Sequence, residues 1–492
     1  MASTSMLLAA IDVGSNSFRL EIGRADGSHI ERQGYWKETV RLAAGLDEHN
    51  RLSRKIIEAG AECLARMNER LHDLQASHVR AVGTQTLRQA LNADEFLLEG
   101  QHALGFPIEI ISGREEARLV FEGCAHSLAP SLGRRLVVDI GGASSEVIVG
   151  RGFEADQAES FKIGCLNVTL KFFPDGTIDR ASLRRAQVAC EAQFEEAQSF
   201  FGRGRWDEAY GTSGTIGAIS LLLRDQGWTD GTITVAGLSR LRQALLAAGE
   251  IRKVRFEGIK QERAAVLAGG LAVLAAIFET FGLHELRASK GGMRLGVLYD
   301  LLGRRESRDV RDATVERWQL RFGVDRAQAE RVAQTALRLL RSVAASVEEE
   351  SVKQLLVAAR LHEVGASVSH GDYHKHSAYL IEHGDLPGFS TSDQRSIAEL
   401  VLGQRGNIRK VSALLEEPNR AASLLALRLA VILHHARGDA AFERWTLKFN
   451  RSIELGLPRA WLDQRPLSRH LLEEEAEQWQ RVGLRFTIRE LG

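Results

Sequence analysis

The chain has little cysteine and little proline, and these shortages exclude several classes of protein. Of its 492 residues only 4 are cysteine and 7 are proline. The cysteines are widely spaced and form no Cys-x-x-Cys pair, which excludes a disulfide framework and a cysteine-based zinc site. They are typical of buried side chains in a reducing compartment: Cys63, Cys124, Cys165 and Cys190. We therefore expect a cytoplasmic protein.

Long apolar runs and an excess of charge are also missing. No stretch of about 20 apolar residues is present, so we expect no membrane span. Asp12 interrupts the first apolar run and no basic segment precedes it, so we expect no signal peptide. Lys plus Arg and Asp plus Glu both total 64, giving a formal net charge of zero. Without a global positive field we expect no nucleic-acid partner, and any anionic ligand must be held by local basic groups.

Several nucleotide and metal motifs are absent as well. No segment matches the P-loop pattern or the dinucleotide-binding fingerprint, and none has the His-Glu-x-x-His spacing of a zinc hydrolase. A cluster of histidines includes His362, His374 and His376. Glu363 follows His362, whereas metal-dependent HD hydrolases have an aspartate directly after this histidine. We therefore interpret this region as a non-catalytic helical domain.

What the chain does contain is one short pattern that occurs twice. The segment Ala10–Ser17 recurs as Val137–Ser144, and the similarity continues from Leu20–Arg24 to Val147–Arg151. Each copy has the pattern of a buried strand, an acid, a tight Gly/Ser turn and a second strand. One such hairpin is also an ordinary structural turn, but two equivalent copies indicate two related lobes that face each other across a cleft.

Glycine- and serine-rich turns suit a phosphate ligand. Glycine lets backbone N–H groups approach an anion closely, and serine adds a hydroxyl donor. A third turn of this kind lies in Gly211–Gly217, again after a predicted strand. Structural turns are the alternative for each segment taken alone. The predicted phosphate-binding residues are Ser15, Asn16, Ser17, Gly141, Gly142, Ser144, Ser213, Gly214 and Thr215.

Two neighbouring glutamates at a predicted helix start have different tasks. Ser112 occupies an N-cap position and Glu115 lies three residues later, which is the spacing of a capping box. Glu116 has no such structural task, so it is the candidate base that activates a water molecule. A solvated acid at a helix start is the alternative interpretation.

Acids beside the two hairpin turns predict a metal ion. Asp12 and Asp139 end their strands next to the turns, and Glu146 follows on the next strand of the second copy, where the first copy has Arg19. Carboxylates repel a phosphate unless a cation intervenes, so Mg²⁺ is expected at Asp12, Asp139 and Glu146. Arg88 is the candidate phosphate clamp. Turn formation and solvated charge are the alternatives for each of these residues.

Alternating strands and helices up to about residue 305 indicate an α/β architecture, and long amphipathic stretches then indicate a helical module. Those stretches include 325–349, 351–365 and 391–403. The last 50 or so residues have strand character. The predicted domains are 1–128 and 129–305 for the two lobes, 306–440 for the helical domain and 441–492 for a small α+β domain.

These motifs resemble those of the exopolyphosphatase / guanosine pentaphosphate phosphohydrolase family, and the resemblance covers nearly the whole chain. It implies two actin-like (ribonuclease H-like) domains, a helical HD-like domain, a small C-terminal domain and a homodimer. It also implies Mg²⁺, with a monovalent cation such as K⁺ as a further candidate cofactor. In the site it implies catalytic roles for Glu116 and Glu146. The segments that carry it are Ala10–Phe18, Gly83–Arg88, Ile111–Arg118, Val138–Gly142, Gly211–Thr215, Leu361–Gly365 and His374–Leu380.

Three residues depart from the pattern common in this family. Ala143 stands where many relatives have glycine, and would be strained by about 1 kcal/mol or more if that position needs a positive φ. Lys290 and Leu295 stand where relatives often carry acids. These two substitutions could alter contacts to metal or substrate.

The resemblance implies release of terminal orthophosphate, either from inorganic polyphosphate or from the 5′ end of guanosine pentaphosphate (pppGpp). The runs Thr84–Ala93, His376–Leu380 and Asp385–Phe389 are more similar to the exopolyphosphatase branch, so exopolyphosphatase is the expected activity. Conversion of pppGpp to ppGpp is the alternative, alone or as a second activity. An actin-like enzyme that consumes ATP and a non-enzymatic polyphosphate or nucleotide sensor are the remaining hypotheses.

Overall fold

A computed structural model describes residues 6–72, 74–305, 309–344, 347–438 and 445–491. The chain forms two compact units, Met1–Asp309 and Val310–Gly492. The predicted domain boundaries near 306 and 440 lie outside the described residues. No helix in the described ranges is long and apolar enough to cross a membrane.

The first lobe of the first unit is built on a five-stranded sheet. Its strand order is β3-β2-β1-β4-β5, in which β1 to β3 form an antiparallel meander and β4 and β5 add in parallel. The strands are β1 (Met6–Val13), β2 (Ser17–Asp26), β3 (His29–Thr39), β4 (Val79–Gly83) and β5 (Ile108–Ile110).

The second lobe repeats this arrangement in a six-stranded sheet. Its order is β10-β11-β9-β6-β7-β8, with β6 to β8 as the antiparallel meander and β9 and β11 in parallel. The duplication seen in the sequence is therefore a duplication of sheet topology. The strands are β6 (Arg134–Ile140), β7 (Ser145–Arg151), β8 (Glu154–Phe161), β9 (Glu208–Thr212), β10 (Ile233–Thr234) and β11 (Glu285–Ala288).

Helices cover both sheets of this unit, and most of them coincide with the amphipathic segments of the sequence. The helices of the first unit are α1 (Arg54–Asn68), α2 (Gln85–Gln89), α3 (Ala93–Leu104), α4 (Gly113–His126), α5 (Cys165–Phe172), α6 (Arg180–Phe194), α7 (Gln198–Phe201), α8 (Ser213–Asp225), α9 (Val235–Ala248), α10 (Gln261–Ala264), α11 (Leu267–Phe281) and α12 (Met293–Arg305).

Helices α4 and α12 join the two lobes. A Cβ at Gly123 would overlap the carbonyl oxygen of Gly292, and a Cβ at Gly296 would overlap that of Leu119, so the two helices pack backbone to backbone. Their apolar faces share one core with residues from both sheets, including Leu8 and Val137. Although the sequence assigns α12 to the second lobe, this helix packs on α4 and β1 of the first.

The second unit contains the helical module and the small sheet around one common core. A buried ion pair between Arg428 and Glu475, with Nε to Oε1 at 2.6 Å, ties the module to the C-terminal segment. The elements are α13 (Val310–Arg321), α14 (Arg326–Val343), α15 (Glu349–Leu361), α16 (Tyr373–His383), α17 (Thr391–Gly403), α18 (Pro418–Leu433), β12 (Thr446–Phe449), β13 (Ser452–Pro458), α19 (Arg459–Gln464), α20 (Pro466–Gln480) and β14 (Arg485–Leu491).

One helix of this module is shorter than its apolar pattern predicts. The stretch 325–349 predicts one continuous helix, but α14 ends at Val343 and Ala344 has an extended backbone. The apolar pattern of the sequence extends beyond the end of α14, because Ala344 and Val347 also pack against the core. Burial alone therefore does not show where a helix ends.

Candidate active site

The turns of the two repeated hairpins face each other across a cleft of about 340 Å³. A Cβ at Gly142 would lie 3.7 Å from the Cβ of Asn16, which shows how closely the turns approach. The cleft therefore gathers segments that are far apart in sequence. Sequence-predicted residues that line it are Asp12, Ser15, Asn16, Ser17, Glu116, Asp139, Gly141, Gly142, Ser144, Glu146, Ser213, Gly214 and Thr215.

In the first hairpin, the acid is neutralised within the sheet. Asp12 on β1 pairs in register with Arg19 on β2, and Arg19 Nη1 lies 3.0 Å from Asp12 Oδ2. Arg294 from α12 approaches the same oxygen at 3.7 Å. Asp12 thus has two cationic partners already, which leaves it less available to a metal ion than its place beside the turn suggests.

In the second hairpin, the equivalent cross-strand pair consists of two acids. Asp139 on β6 lies directly opposite Glu146 on β7, where the first hairpin has Asp12 opposite Arg19. Like charges at opposed positions destabilise a sheet unless a proton or cation lies between them. Burial, together with the Glu116 carboxylate, raises the pKa of Asp139 to about 7, and burial raises the pKa of Glu146 well above its usual value. The Ser160 hydroxyl donates to Glu146 Oε1 at 2.8 Å and lowers that pKa only in part.

The start of α4 separates the two glutamates, and the Ser112 half of the predicted capping box is present. Ser112 Oγ accepts a hydrogen bond from the Glu115 N–H at 3.1 Å, so Ser112 is the N-cap. The Glu115 carboxylate is buried on the far side of the turn and accepts from Arg118 Nε at 2.8 Å. Glu116 instead points into the cleft, and burial raises its pKa.

Arg88 has a different partner from the one the sequence suggests. Its Nη1 donates to Glu116 Oε2 and to the carbonyl of Ile111, both at 2.9 Å, while Nη2 donates to Gln85. Arg88 is not among the residues that line the cleft. This geometry makes it an anchor for Glu116 rather than a phosphate clamp. The other oxygen, Glu116 Oε1, has no hydrogen-bond partner in the described ranges and is available to a water molecule.

The third turn begins helix α8 with a strained backbone. Ser213 has a φ of 87°, a region that side chains rarely occupy, and its Oγ accepts from the Thr215 N–H at 3.2 Å. The preceding residue, Thr212, donates from Oγ1 to the carbonyl of Gly291 at 2.7 Å. A Cβ at Gly214 would overlap the guanidinium of Arg263. Gly214 is therefore the residue that lets Arg263 lie over this turn.

The Ala143 departure carries no backbone strain. Ala143 is not among the described non-glycine residues with positive φ. Gly141 and Gly142 have ordinary φ values too, and the close approach at this turn requires Gly164, where a Cβ would overlap the backbone of Gly142. Of the other two departures, Lys290 lines the cleft and Leu295 packs on the core shared by the lobes.

Several cationic and aromatic residues of the cleft are not found by the sequence analysis. Arg263, Lys37 and Tyr35 line it, and Arg263 has no hydrogen-bond or ion-pair partner among the described residues. One sequence feature could have drawn attention to Arg263. It is a basic residue four positions before α11, a helix that consists almost entirely of apolar and small residues. No local pattern marks the edge strand β3 as part of the cleft.

The carboxylates of the cleft fit Mg²⁺ in one specific way. In the described ranges no group of three or more His, Cys, Asp or Glu side chains is arranged to hold a metal ion by itself. Mg²⁺, however, is usually held by one or two carboxylates together with water and substrate phosphates. Asp139 and Glu146 form such a pair, because they lie directly opposite each other on β6 and β7.

The histidine cluster of the second unit has structural contacts. His362 Nδ1 lies 2.6 Å from the carbonyl of Ala359, and burial lowers the pKa of this histidine, which favours its neutral form. The neighbouring Glu363 is paired with Arg437 Nη2 at 2.7 Å. An arginine thus compensates the acid that stands where an HD hydrolase has its metal-binding aspartate.

Two protein-family models match this chain. The model described as the Ppx/GppA phosphatase family matches residues 22–305, and the model described as Ppx/GppA phosphatase, domain III, matches residues 310–476. The actin-like, ribonuclease H-like fold predicted for the first unit, with the helical domain and the small C-terminal sheet after it, is thereby confirmed.

Curated relatives match over the full length. Proteins from Vibrio cholerae and Vibrio vulnificus are 36% and 37% identical over 493 residues, which is 99% of this chain and 99% of each relative. Both are named guanosine-5′-triphosphate,3′-diphosphate pyrophosphatase. Among solved structures, the Aquifex aeolicus member of the Ppx/GppA family has 26% identity and a TM-score of 0.54 over 61% of this chain and 99% of its own. A Cytophaga hutchinsonii exopolyphosphatase has 20% identity and a TM-score of 0.55 over 60% of this chain and 98% of its own, and shares the fold.

These relatives overturn the expectation of an exopolyphosphatase, because the relatives that match the full length bear the other activity in their names. Several residues in the runs that suggested the exopolyphosphatase branch are buried and contribute to packing. Thr86 and Leu87 in the first run are buried, as are Ser377 and Phe389 in the other two. In the first unit, Thr86 and Leu87 do not line the cleft, whereas Thr84 of the same run does.

Proposed function

Because this chain belongs to the Ppx/GppA phosphatase family, we propose that it removes the terminal 5′-phosphate of pppGpp (guanosine 5′-triphosphate 3′-diphosphate). The products would be ppGpp and orthophosphate. The observation that carries the proposal is the identity of 36–37% over the full chain with relatives named for this substrate. The cleft supplies groups suited to the reaction.

The terminal phosphate would be held by the three turns. The turns Gly14–Ser17, Gly141–Ser144 and Ser213–Thr215 all line the cleft, where backbone N–H groups and the hydroxyls of serine and threonine would be the donors to the phosphate. The N-terminus of α8 contributes its partial positive charge at the third turn. Arg263, which has no hydrogen-bond or ion-pair partner in the part of the chain that the structure describes, is placed to compensate the charge of a phosphate oxygen.

Glu116 would activate the attacking water. Arg88 fixes one carboxylate oxygen at 2.9 Å and leaves the other toward the cleft, so the side chain is oriented before substrate binds. Burial raises the pKa of Glu116, and a base is most effective when its pKa lies near the working pH. Glu116 would take a proton from water as its oxygen attacks the terminal phosphorus in line with the leaving oxygen.

Asp139 and Glu146 are the residues that would hold Mg²⁺. When bound, the ion would offset the negative charge of the two carboxylates and of the transferring phosphoryl group. Without a cation, the two side chains repel each other and the substrate, since Glu146 is buried and lies directly opposite the half-buried Asp139. Asp12 is the weaker candidate ligand because it is paired with Arg19.

A comparison of substrates tests the proposal. Orthophosphate release would be measured with one preparation on pppGpp and on long-chain polyphosphate, each with Mg²⁺ and with EDTA. We expect turnover of pppGpp with a higher kcat/KM than polyphosphate, and loss of activity in EDTA that added Mg²⁺ restores. A protein that degrades polyphosphate and leaves pppGpp intact would contradict the assignment.

A further inference from the structure

The edge strand β3 carries two cleft residues that the phosphate-binding turns do not explain. Tyr35 and Lys37 alternate with Trp36, so both lie on the same face of the first sheet. Lys37 pairs in register with Arg19, which in turn pairs with Asp12, and Tyr35 pairs with Glu21. The two residues therefore lie two strands away from Asp12, roughly 10 Å from it, on the face that carries the acid.

Lys37 is the unmatched cation of this row. Arg19 is paired with Asp12, and Arg32 and Arg294 are both paired with Glu21. For the Lys37 ammonium, by contrast, the described ranges contain no hydrogen-bond or ion-pair partner.

Its surroundings favour a bound anion. Burial and the nearby guanidiniums of Arg263 and Arg19 lower the pKa of Lys37, with Lys260 acting in the same direction and Glu262 against it. An anion bound here would relieve the repulsion among these cations.

Tyr35 presents an anchored aromatic ring at the same place. Tyr35 lines the cleft and is 44% exposed. The guanidinium carbons of Arg294 and Arg32 lie 5.2 and 5.6 Å from the ring centroid, and both arginines are held by Glu21. The ring is thus fixed by two cation–π contacts while part of it stays open.

We propose that Tyr35 and Lys37 form a subsite for the guanosine 3′-diphosphate part of the substrate, with Lys37 binding the 3′-diphosphate and Tyr35 contacting the base. This inference rests on the proposed function. Aromatic side chains bind bases by stacking on their π-faces, and ammonium groups bind phosphate oxygens as point charges. Inorganic polyphosphate has neither a base nor a 3′-diphosphate, so the subsite gives the cleft a means of preferring pppGpp.

The test compares three substrates that lose one part at a time: pppGpp, GTP without the 3′-diphosphate, and tripolyphosphate without the nucleoside. For Lys37→Ala we expect KM for pppGpp to rise about tenfold, with kcat and both other KM values within twofold of wild type. For Tyr35→Ala we expect KM to rise about five- to tenfold for pppGpp and GTP, with tripolyphosphate unchanged.

Two control variants accompany these. Tyr35→Phe keeps the ring and should restore wild-type KM values. Arg24→Ala removes one positive charge from an exposed position on β2 outside the cleft, and should leave all three substrates unchanged.

The possible failures are distinguishable. A wild-type protein that releases no phosphate from pppGpp overturns the proposed function and this assignment with it. An active wild type whose Lys37→Ala and Tyr35→Ala variants keep wild-type KM values overturns the subsite alone. An equal rise in KM for tripolyphosphate also overturns it, because the two residues would then hold the phosphate chain.

Discussion

Glu116 is the residue on which the proposed chemistry depends most directly. Replacing it with glutamine keeps the shape of the side chain and removes the base. We expect Glu116→Gln to lower kcat for pppGpp by about 10²- to 10⁴-fold, the contribution of a well-placed general base. The melting temperature should not fall, because the substitution removes a charge whose burial is unfavourable. Phosphate-release kinetics and calorimetry would check both results, and near-normal turnover would contradict the role.

Gly214 provides a second test at the scale of one residue. A methyl group there would overlap the Arg263 guanidinium, which is the mobile end of a long side chain. We expect Gly214→Ala to displace Arg263 with little change in melting temperature, and to raise KM for pppGpp about tenfold. Arg263→Ala should raise KM to a similar extent, and the double variant should add little to either single one. Additive effects would show that the two residues act separately.

Among elements, the crossing of α4 and α12 is the contact that holds the two lobes together. Both helices approach backbone to backbone at Gly123 and Gly296, where added methyl groups would overlap carbonyl oxygens that cannot move independently. We expect Gly123→Ala or Gly296→Ala to lower the free energy of unfolding by roughly 1–3 kcal/mol or more.

Gly217 in α8 is the matched control, since a Cβ there meets open space. Gly217→Ala should stabilise by about 0.5–1 kcal/mol. Denaturant unfolding would measure both effects. Unchanged stability in Gly123→Ala would contradict the close packing of the helices.

A buried ion cluster joins the same elements and makes stability depend on pH. Asp300 on α12 contacts Arg80 on β4 at 2.8 Å and Arg118 on α4 at 2.6 Å, with Arg304 at 2.8 Å. These guanidiniums hold the pKa of Asp300 below its usual value in spite of burial. The stabilisation it gives is therefore fully present above the unfolded pKa, near 3.9, and is lost as pH falls below it.

Asp300→Asn tests this contribution. It should cost roughly 3–5 kcal/mol at neutral pH, because three arginines lose their common partner. The variant should also lose less stability than wild type between pH 5 and pH 2. Calorimetry across that range would show it. Parallel losses in both proteins would mean that Asp300 does not drive the acid transition.

Elements were predicted well where a short pattern determines them. The repeated hairpins, the N-cap at Ser112 and the separation of Glu115 from Glu116 all follow from local rules of strand, turn and cap. The sequence analysis did not find Arg263 and Lys37, because only the folded chain brings them to the cleft. Arg263 lies over Gly214, and Lys37 lies on the edge strand β3, two strands away from Asp12. The partner of Arg88 was missed for the same reason.

At the scale of the whole molecule, duplication explains the site better than any single motif. The two lobes share a strand order, yet the cross-strand pair beside the turn is Asp12–Arg19 in one and Asp139–Glu146 in the other. In the first hairpin an arginine neutralises the acid, whereas the pair in the second hairpin consists of two acids. We therefore expect the second copy to bind the metal ion, and Glu146→Gln to weaken Mg²⁺ activation more than Asp12→Asn does.

The sequence motifs did not distinguish the two activities of the family. In the run Asp385–Phe389, for example, Leu386 and Phe389 belong to the core of the second unit. We propose that substrate choice depends instead on side chains around the phosphate turns, and these are scattered through the sequence. Full-length relatives corrected the assignment that local similarity had suggested.

The most direct measurement follows the oxygen of the attacking water. The protein would hydrolyse pppGpp in water enriched in ¹⁸O, with products examined by ³¹P NMR and mass spectrometry. Attack at the terminal 5′-phosphorus predicts one ¹⁸O atom in the released orthophosphate, none in the nucleotide, and an intact 3′-diphosphate. Release of pyrophosphate, ¹⁸O in the nucleotide or loss of the 3′-diphosphate would contradict the account.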